Sequence, residues 1–409
     1  MFQKILLTLF LSLLPLLLIA PFTHASSFEG NKILIKFKKN IGTNLPSFSE
    51  TYNLISQESP FQEEKGYFSF LVKDGETVDQ KINEIRKNRL VRSVQPNFIF
   101  NSTKKKVQSK SLTNDRFIGR QWWLYNNGTT GTTGSDIGIS DVWPKESKDW
   151  KDVSIGIIDS GVNLKHEDLK NNVSRGYDFV HSKNKQMQDK EGHGSFLAGL
   201  IASKVNNKKG IAGLSRLNHL KIVPLKFNFT TEEAVSAINY AKKKGIRILN
   251  ASWGSNEFDQ ALYDTIKDYD GLIISASGNE TKEHEGTNVF YPCDFDLPNV
   301  ICVGASNAID SMASYSDWGG GTDLFAPGGE DNSPLISLDV KTNKYVEAAG
   351  TSFSAALVSG AAGIALSKNP SFSPLEIKNL ILETVNKKEE LTNKSTSGGI
   401  LNVGSLVNR

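Results

Sequence analysis

Val153-Ser154-Ile155-Gly156-Ile157-Ile158-Asp159-Ser160-Gly161 is a short apolar run that stops abruptly at a carboxylate and a turn. Runs of Val, Ile and Leu without polar alternation suit a strand whose two faces are both covered, as in a parallel sheet. Similar runs recur at Leu220 to Phe227, Ile246 to Ala251, Leu272 to Ala276 and Val300 to Val303. Helix signals lie between and after them. Thr230 with Glu233 forms a capping box and Gly245 can close that helix, while Ser373, Pro374 and Glu376 open another. This alternation predicts a doubly wound α/β domain with a mostly parallel sheet over residues 118–409. In such a sheet the site lies beyond the carboxyl ends of the strands, where Asp159 falls.

The rest of the chain frames that domain. The sequence has 409 residues, 38% hydrophobic and 22% charged, which suits a folded chain rather than a disordered one. Lys+Arg 47 against Asp+Glu 44 gives a net charge of +3, which does not point to a nucleic-acid partner. Two cysteines exclude a disulfide-built scaffold and a four-cysteine zinc site. No His-Glu-x-x-His motif supports zinc-protease chemistry. Lys4, the apolar run Ile5 to Ala20, Pro21 and Thr23-His24-Ala25 read as a secretory signal over residues 1–25, with an uncleaved anchor as the alternative. Secretion is therefore expected, with no membrane span once the signal is cut. Residues 26–100 read as a small α+β domain. Ile33, Ile35 and Phe37 alternate, Tyr67 to Val72 forms a second strand, and Val78, Ile82 and Ile85 fall at helical spacing. Residues 101–117, with Lys104-Lys105-Lys106 and Lys110, read as a basic, cuttable linker.

Four segments carry chemistry. Asp159 ends a strand. His193 lies between Gly192 and Gly194, ahead of an amphipathic helix. Asn279 follows a strand end in Ser277-Gly278-Asn279-Glu280. Ser352 opens a small-residue helix in Gly350-Thr351-Ser352-Phe353-Ser354. A serine hydroxyl needs a base to take its proton, and an imidazole titrating near neutrality can do so. The imidazole needs a carboxylate to fix its tautomer and stabilise its charged form, a part that Asp159 fits. Asn279 and the Ser352 amide at a helix N-terminus can donate to a developing oxyanion.

Taken together, in the order Asp, His, Asn, Ser, these segments resemble the subtilisin family of serine proteases. His166-Glu167-Asp168-Leu169, Asn250-Ala251-Ser252-Trp253-Gly254 and Phe325-Ala326-Pro327-Gly328 extend the likeness over residues 118–385. The resemblance implies a serine endopeptidase made as a zymogen, acting through an acyl-enzyme on Ser352. It implies that residues 26–100 are an inhibitory and chaperoning propeptide, and that the linker holds the processing site. It implies that Trp253-Gly254 pairs with the substrate backbone. A pocket for the residue before the scissile bond is expected between Ser252 to Gly254 and Ser277 to Glu280, including Gly278, with Phe290-Tyr291-Pro292 at its base. Glu280 either favours a basic side chain there or is a solvated bystander, and Phe290 either forms the pocket base or shortens the pocket. Structural Ca2+ is expected at Gln121, Asp168, Asn206 and Asn207, although Lys204, Lys208 and Lys209 crowd that loop. Cys293 and Cys302 form either a disulfide, which export permits, or two buried thiols. The pattern departs from the family at Phe353, where methionine is common, and at Ala356, where proline is usual. A narrower resemblance is to the lantibiotic leader peptidases, which implies a lanthionine-containing precursor as the peptide substrate. A general degradative subtilisin is the alternative, and a catalytically silent peptide-binding relative is the alternative of another class. A monomer is expected.

Overall fold

Ile33 and Ile35 are fully buried and their neighbours are not, as the alternation predicts. A computed structural model describes residues 28–38, 44–57, 67–73, 75–98, 112–181, 187–341 and 343–409. The signal segment and the lysines at 104–106 and 110 lie outside the described residues. The chain divides into two compact units, Met1–Gln108 and Ser109–Arg409.

In the first unit, strands β1 (Phe28–Phe37), β2 (Leu54–Gln57), β3 (Tyr67–Val72) and β4 (Val91–Phe98) form an antiparallel sheet in the order β2-β3-β1-β4. Helices α1 (Leu45–Thr51) and α2 (Val78–Ile85) complete it. α2 begins at a capping box in which Thr77 and Gln80 bond each other's backbone. Val78, Ile82 and Ile85 are buried, as their spacing predicts. α1 has no counterpart in the sequence reading. Its Phe48 meets Phe37 edge-on at 4.9 Å.

The second unit is built on a nine-stranded sheet. Its strands are β5 (Val153–Asp159), β6 (Tyr177–Asp178), β7 (Leu220–Lys226), β8 (Ile248–Ala251), β9 (Leu272–Ala276), β10 (Val300–Ser306), β11 (Leu324–Pro327), β12 (Asn386–Lys387) and β13 (Gly399–Ile400). They run in the order β12-β13-β11-β10-β9-β8-β5-β7-β6, parallel except for the edge pair β12–β13. Helices cover both faces. α3 (His193–Ala202), α6 (Thr351–Lys368) and α7 (Pro374–Glu383) share one apolar cluster with Ile155 and Ile157. α4 (Thr231–Lys244) and α5 (Gln260–Lys267) share another with Ile158 and Leu249. Thr230 caps α4 and Gly245 closes it in the left-handed conformation, as the sequence predicts.

The stretch read as the end of the linker belongs to this unit from Leu112 onward. Leu112 and Phe117 pack on the core, and Thr113 and Asp115 are buried. The Phe117 amide donates to the Gly210 carbonyl at 2.7 Å, and the Asp115 carboxylate accepts the Asn206 and Asn207 amides at 2.9 and 3.0 Å. Two apolar side chains and a buried acid give this segment a reason to dock that its polar composition hides. Among the described residues no helix is long and apolar enough to cross a membrane.

Candidate active site

β5 ends on Asp159, fully buried at the carboxyl edge of the sheet. α3 begins at His193, and its approach to β5 depends on Gly194. A Cβ there would come within 2.1 Å of the Gly161 carbonyl oxygen. The close approach lets His193 Nδ1 reach both oxygens of Asp159, at 3.0 and 2.9 Å. The imidazole is 34% exposed and faces the cleft. Burial lowers its pKa, but the charge of Asp159 and the hydrogen bond to it prevail and raise it above the ordinary value.

A second carboxylate, absent from the sequence reading, sets the start of α3. Asp189 Oδ1 accepts the amides of Glu191 and Gly192 at 2.9 Å each, and Oδ2 accepts the Ser195 amide at 2.9 Å and its hydroxyl at 2.6 Å. These are N–H groups that a helix start leaves without partners. Ser160 Oγ lies between Asp159 (3.1 Å) and Asp189 (3.0 Å) and can donate to either. The N-cap position itself is Gly192, which has no side chain to cap with, so Asp189 supplies the acceptors from three residues further back.

Ser352 occupies the first turn of α6, the buried central helix. Its hydroxyl donates to the Ser252 carbonyl at 3.3 Å, and Ser252 Oγ donates to the Ser352 carbonyl at 2.8 Å. The next residue, Phe353, lies 6.1 Å ring to ring from His193 and stacks on Phe196 at 4.1 Å. The Ser352 hydroxyl is thus engaged by Ser252 rather than by His193; nucleophile–base hydrogen bonds often form fully only when substrate binds. Asn279 lies across the cleft mouth. Its Oδ1 accepts both the amide and the hydroxyl of Thr351 at 2.9 Å, which leaves the Nδ2 donor for another acceptor. Gly278 takes φ +113°, and a Cβ there would meet Asp317 Oδ2 at 2.1 Å.

The expected pocket residues gather beside these groups. Ser255 and Tyr291 exchange backbone hydrogen bonds at 2.9 and 2.8 Å. This brings Phe290 against Gly254, where a Cβ would lie 2.5 Å from the ring. Trp253 Nε1 donates to the Ile158 carbonyl at 2.9 Å, fixing the indole over the end of β5. Glu280 is 61% exposed and forms an ion pair with Lys282. Cys293 and Cys302 are joined in a disulfide that ties the turn after Tyr291-Pro292 to β10. A cavity of about 610 Å³ opens on the far side of Gly254, walled by Phe227, Phe229, Trp253, Phe258 and Tyr291.

A model of the subtilase family matches residues 150–399. The chain belongs to the subtilase family of serine proteases. This subtilase is 32% identical over 302 residues to the cell wall-associated protease of Bacillus subtilis (strain 168), covering 71% of this chain and 32% of that protein. It therefore spans about a third of that relative's length. It is 28% identical over 316 residues to the thermophilic serine proteinase of Bacillus sp. (strain AK1), covering 76% of this chain and 71% of that one. Subtilisin DY of Bacillus licheniformis is 32% identical over 238 residues, 57% of this chain and 83% of its own. A protease from Pseudoalteromonas arctica PAMC 21717 shares the fold with a TM-score of 0.61 at 21% identity, over 73% of this chain and 99% of that one. Fervidolysin from Fervidobacterium pennivorans gives a TM-score of 0.61 at 19% identity, over 94% of this chain and 62% of that one.

Structural calcium is general among subtilases, but the residues expected to hold it do not fit a cation. Asp168 Oδ1 accepts Asn207 Nδ2 at 2.7 Å, and Oδ2 accepts the Ile211 amide at 2.9 Å and the Tyr345 hydroxyl at 2.8 Å. Gln121 exchanges both its amide atoms with the backbone of Ala212, at 2.7 and 2.8 Å. Asn206 Oδ1 accepts the Asn114 amide and Asn207 Oδ1 the Lys209 amide, at 3.2 and 2.7 Å. Calcium needs six to eight oxygens turned toward one point. Here each side-chain oxygen is turned toward a proton donor. The four residues meet in one corner, as expected, but they close a hydrogen-bonded knot.

Proposed function

We propose that this subtilase is an endopeptidase in which His193 takes the proton of Ser352 as Ser352 Oγ attacks the peptide carbonyl. Asp159 holds the imidazole by Nδ1, so that Nε2 is the basic nitrogen, and stabilises the imidazolium that forms. The Ser352 amide and Asn279 Nδ2 donate to the oxyanion of the tetrahedral intermediate. The imidazolium then gives its proton to the leaving amine, and water hydrolyses the acyl-enzyme by the same steps. The contact between His193 Nδ1 and both Asp159 oxygens carries this reading, because it fixes the tautomer that the chemistry requires. Labelling with an organophosphorus reagent tests it. The reagent should mark Ser352 in the wild type and nothing in Ser352→Ala; equal labelling of both proteins would sink it.

The finer reading is a secreted zymogen with a narrow substrate. The first unit serves as the intramolecular inhibitor, and its removal cuts the chain between the two units. Such a cut falls upstream of Leu112, since the residues from there are packed into the catalytic unit. Phe290 against Gly254 shortens the pocket beside the scissile bond, and the Glu280–Lys282 pair neutralises its rim. The aromatic cavity beyond Gly254 would take a large apolar side chain a few residues upstream. One shallow and one deep subsite suit a defined leader sequence, such as that of a lanthionine-containing precursor, better than indiscriminate digestion. Comparison of casein with such a precursor decides. Rapid, unselective casein cleavage would instead make the protein a degradative subtilisin.

A further inference from the structure

Behind the cleft, His284 is the centre of a buried charged cluster that the catalytic reading does not use. The imidazole, Asp294 and Asp317 have side chains only 3%, 8% and 4% exposed. Nδ1 lies 3.0 Å from Asp294 Oδ1. Nε2 faces Asp317 Oδ2 at 3.9 Å and has no hydrogen-bond partner. Each aspartate holds one wall of the cleft. Asp294 Oδ2 accepts the Phe290 amide at 2.6 Å. Asp317 Oδ1 accepts the amides of Glu280 and Lys282 at 2.8 and 2.7 Å. The Asp317 amide donates to the Gly278 carbonyl at 3.1 Å. Asn279 is thus flanked on both sides by residues bonded to Asp317, and a two-residue parallel pairing of Glu283–His284 with Trp318–Gly319 closes the ring.

We propose that His284 is a positioning residue whose imidazolium, set between Asp294 and Asp317, ties the loop carrying Asn279 to the loop carrying Phe290. The inference rests on the oxyanion role proposed above for Asn279. Two buried carboxylates facing one imidazole favour its charged form, because a neutral ring would leave both acids without a compensating charge. Other ionisable groups nearby have partners of their own. Lys282 pairs with Glu280, Asp323 with Lys378, and Lys394 lies over the Trp318 ring at 6.0 Å, while Glu283 beside His284 is exposed. Burial lowers the His284 pKa, but the hydrogen bond to Asp294, the facing Asp317 carboxylate and the charges of both outweigh it and carry it up to about 9. A group whose pKa rises on folding stabilises the fold fully below its unfolded value, about 6.5, and loses that contribution as pH climbs through the folded value. The clamp therefore holds at neutral pH and opens in alkali.

The experiment follows kcat/KM against pH on a peptide anilide, using protein expressed as the full chain and counted by active-site labelling. The wild type should lose activity in a limb near pH 9. His284→Gln should label fully, lose that limb and fall about tenfold or more at pH 7. In an Asn279→Ala background the same change should cost less than about threefold, because effects that pass through one group do not add. Asp294→Asn, which weakens the imidazolium, should move the wild-type limb to lower pH, and it decides the matter if His284→Gln does not fold. The proposal is overturned by a labelled wild type with no such limb, by a limb that Asp294→Asn leaves in place, or by an undiminished cost of His284→Gln without Asn279. A wild type that does not label at all defeats the protease reading instead.

Discussion

Asp159 and Asp168 are both fully buried and stand nine positions apart, the first at the end of β5 and the second in the 3-10 turn Glu167–Leu169 beyond it. What separates them is the group each one faces. Asp159 faces an imidazole, which can take up and release a proton near neutral pH. Asp168 faces an amide, a side-chain amide and a tyrosine hydroxyl, none of which changes charge there. Burial raises the Tyr345 pKa further, and the Asp168 charge adds to that. A buried carboxylate is thus neither catalytic nor structural by its own nature. Its donors decide.

The contrast can be broken by exchange of one atom at each position. Asp159→Asn should lower kcat by about 10⁴, the cost of the wrong tautomer in a triad. It should leave the fold intact, because Asp189 still holds the start of α3; kcat and circular dichroism check the two halves. Asn279→Ala tests the oxyanion side and should cost about 10²–10³ in kcat, a magnitude known for this donor in the subtilisin family itself. Asp168→Asn should do the reverse of Asp159→Asn. It turns an amide donor toward existing donors and should cost about 1–3 kcal/mol of stability, with little change in kcat at 25 °C. Denaturant melts read that loss. If Asp168→Asn instead impaired turnover at full stability, the division between the two acids would fail. The smallest effect is expected from chelation. Removing divalent ions should leave the melting temperature unchanged, and a drop restored by Ca2+ would show that the knot at Asp168 opens to admit a cation.

The acidic limb of the activity profile sharpens the same point. His193 must be neutral to act as a base, and its pKa is raised, so kcat/KM should rise with pH through a value above 6.5. Asp159→Asn removes the charge that raises it and should shift the limb downward.

The parallel strands were legible because burial on both faces leaves a continuous apolar run, and β9 begins and ends where Leu272 to Ala276 suggests. β11 was less visible. Its four residues end in Ala326 and Pro327, and only the neighbouring strand makes them a strand. The groups at the cleft were legible because each sits in a local turn or helix start with its own signature. Asp189 was not, because it holds the start of α3 from outside the ordinary N-cap position; Ser160 and His284 were not, since partners of each come from other segments of the chain. The closure of the expected calcium corner was hidden for the same reason. The oxygens were present at the expected positions, but Tyr345, whose hydroxyl fills the corner, lies 177 residues from Asp168.

The stacked rings of Phe196 and Phe353 join the helix that starts at His193 to the helix that carries Ser352 without recourse to either of those side chains. Removing the Ser352 hydroxyl takes nothing from that joint. An inert Ser352→Ala protein should therefore keep a shaped cleft and hold an uncut chain within it. Immobilised, it becomes bait, and the peptides it retains would spell out the sequence this cleft selects.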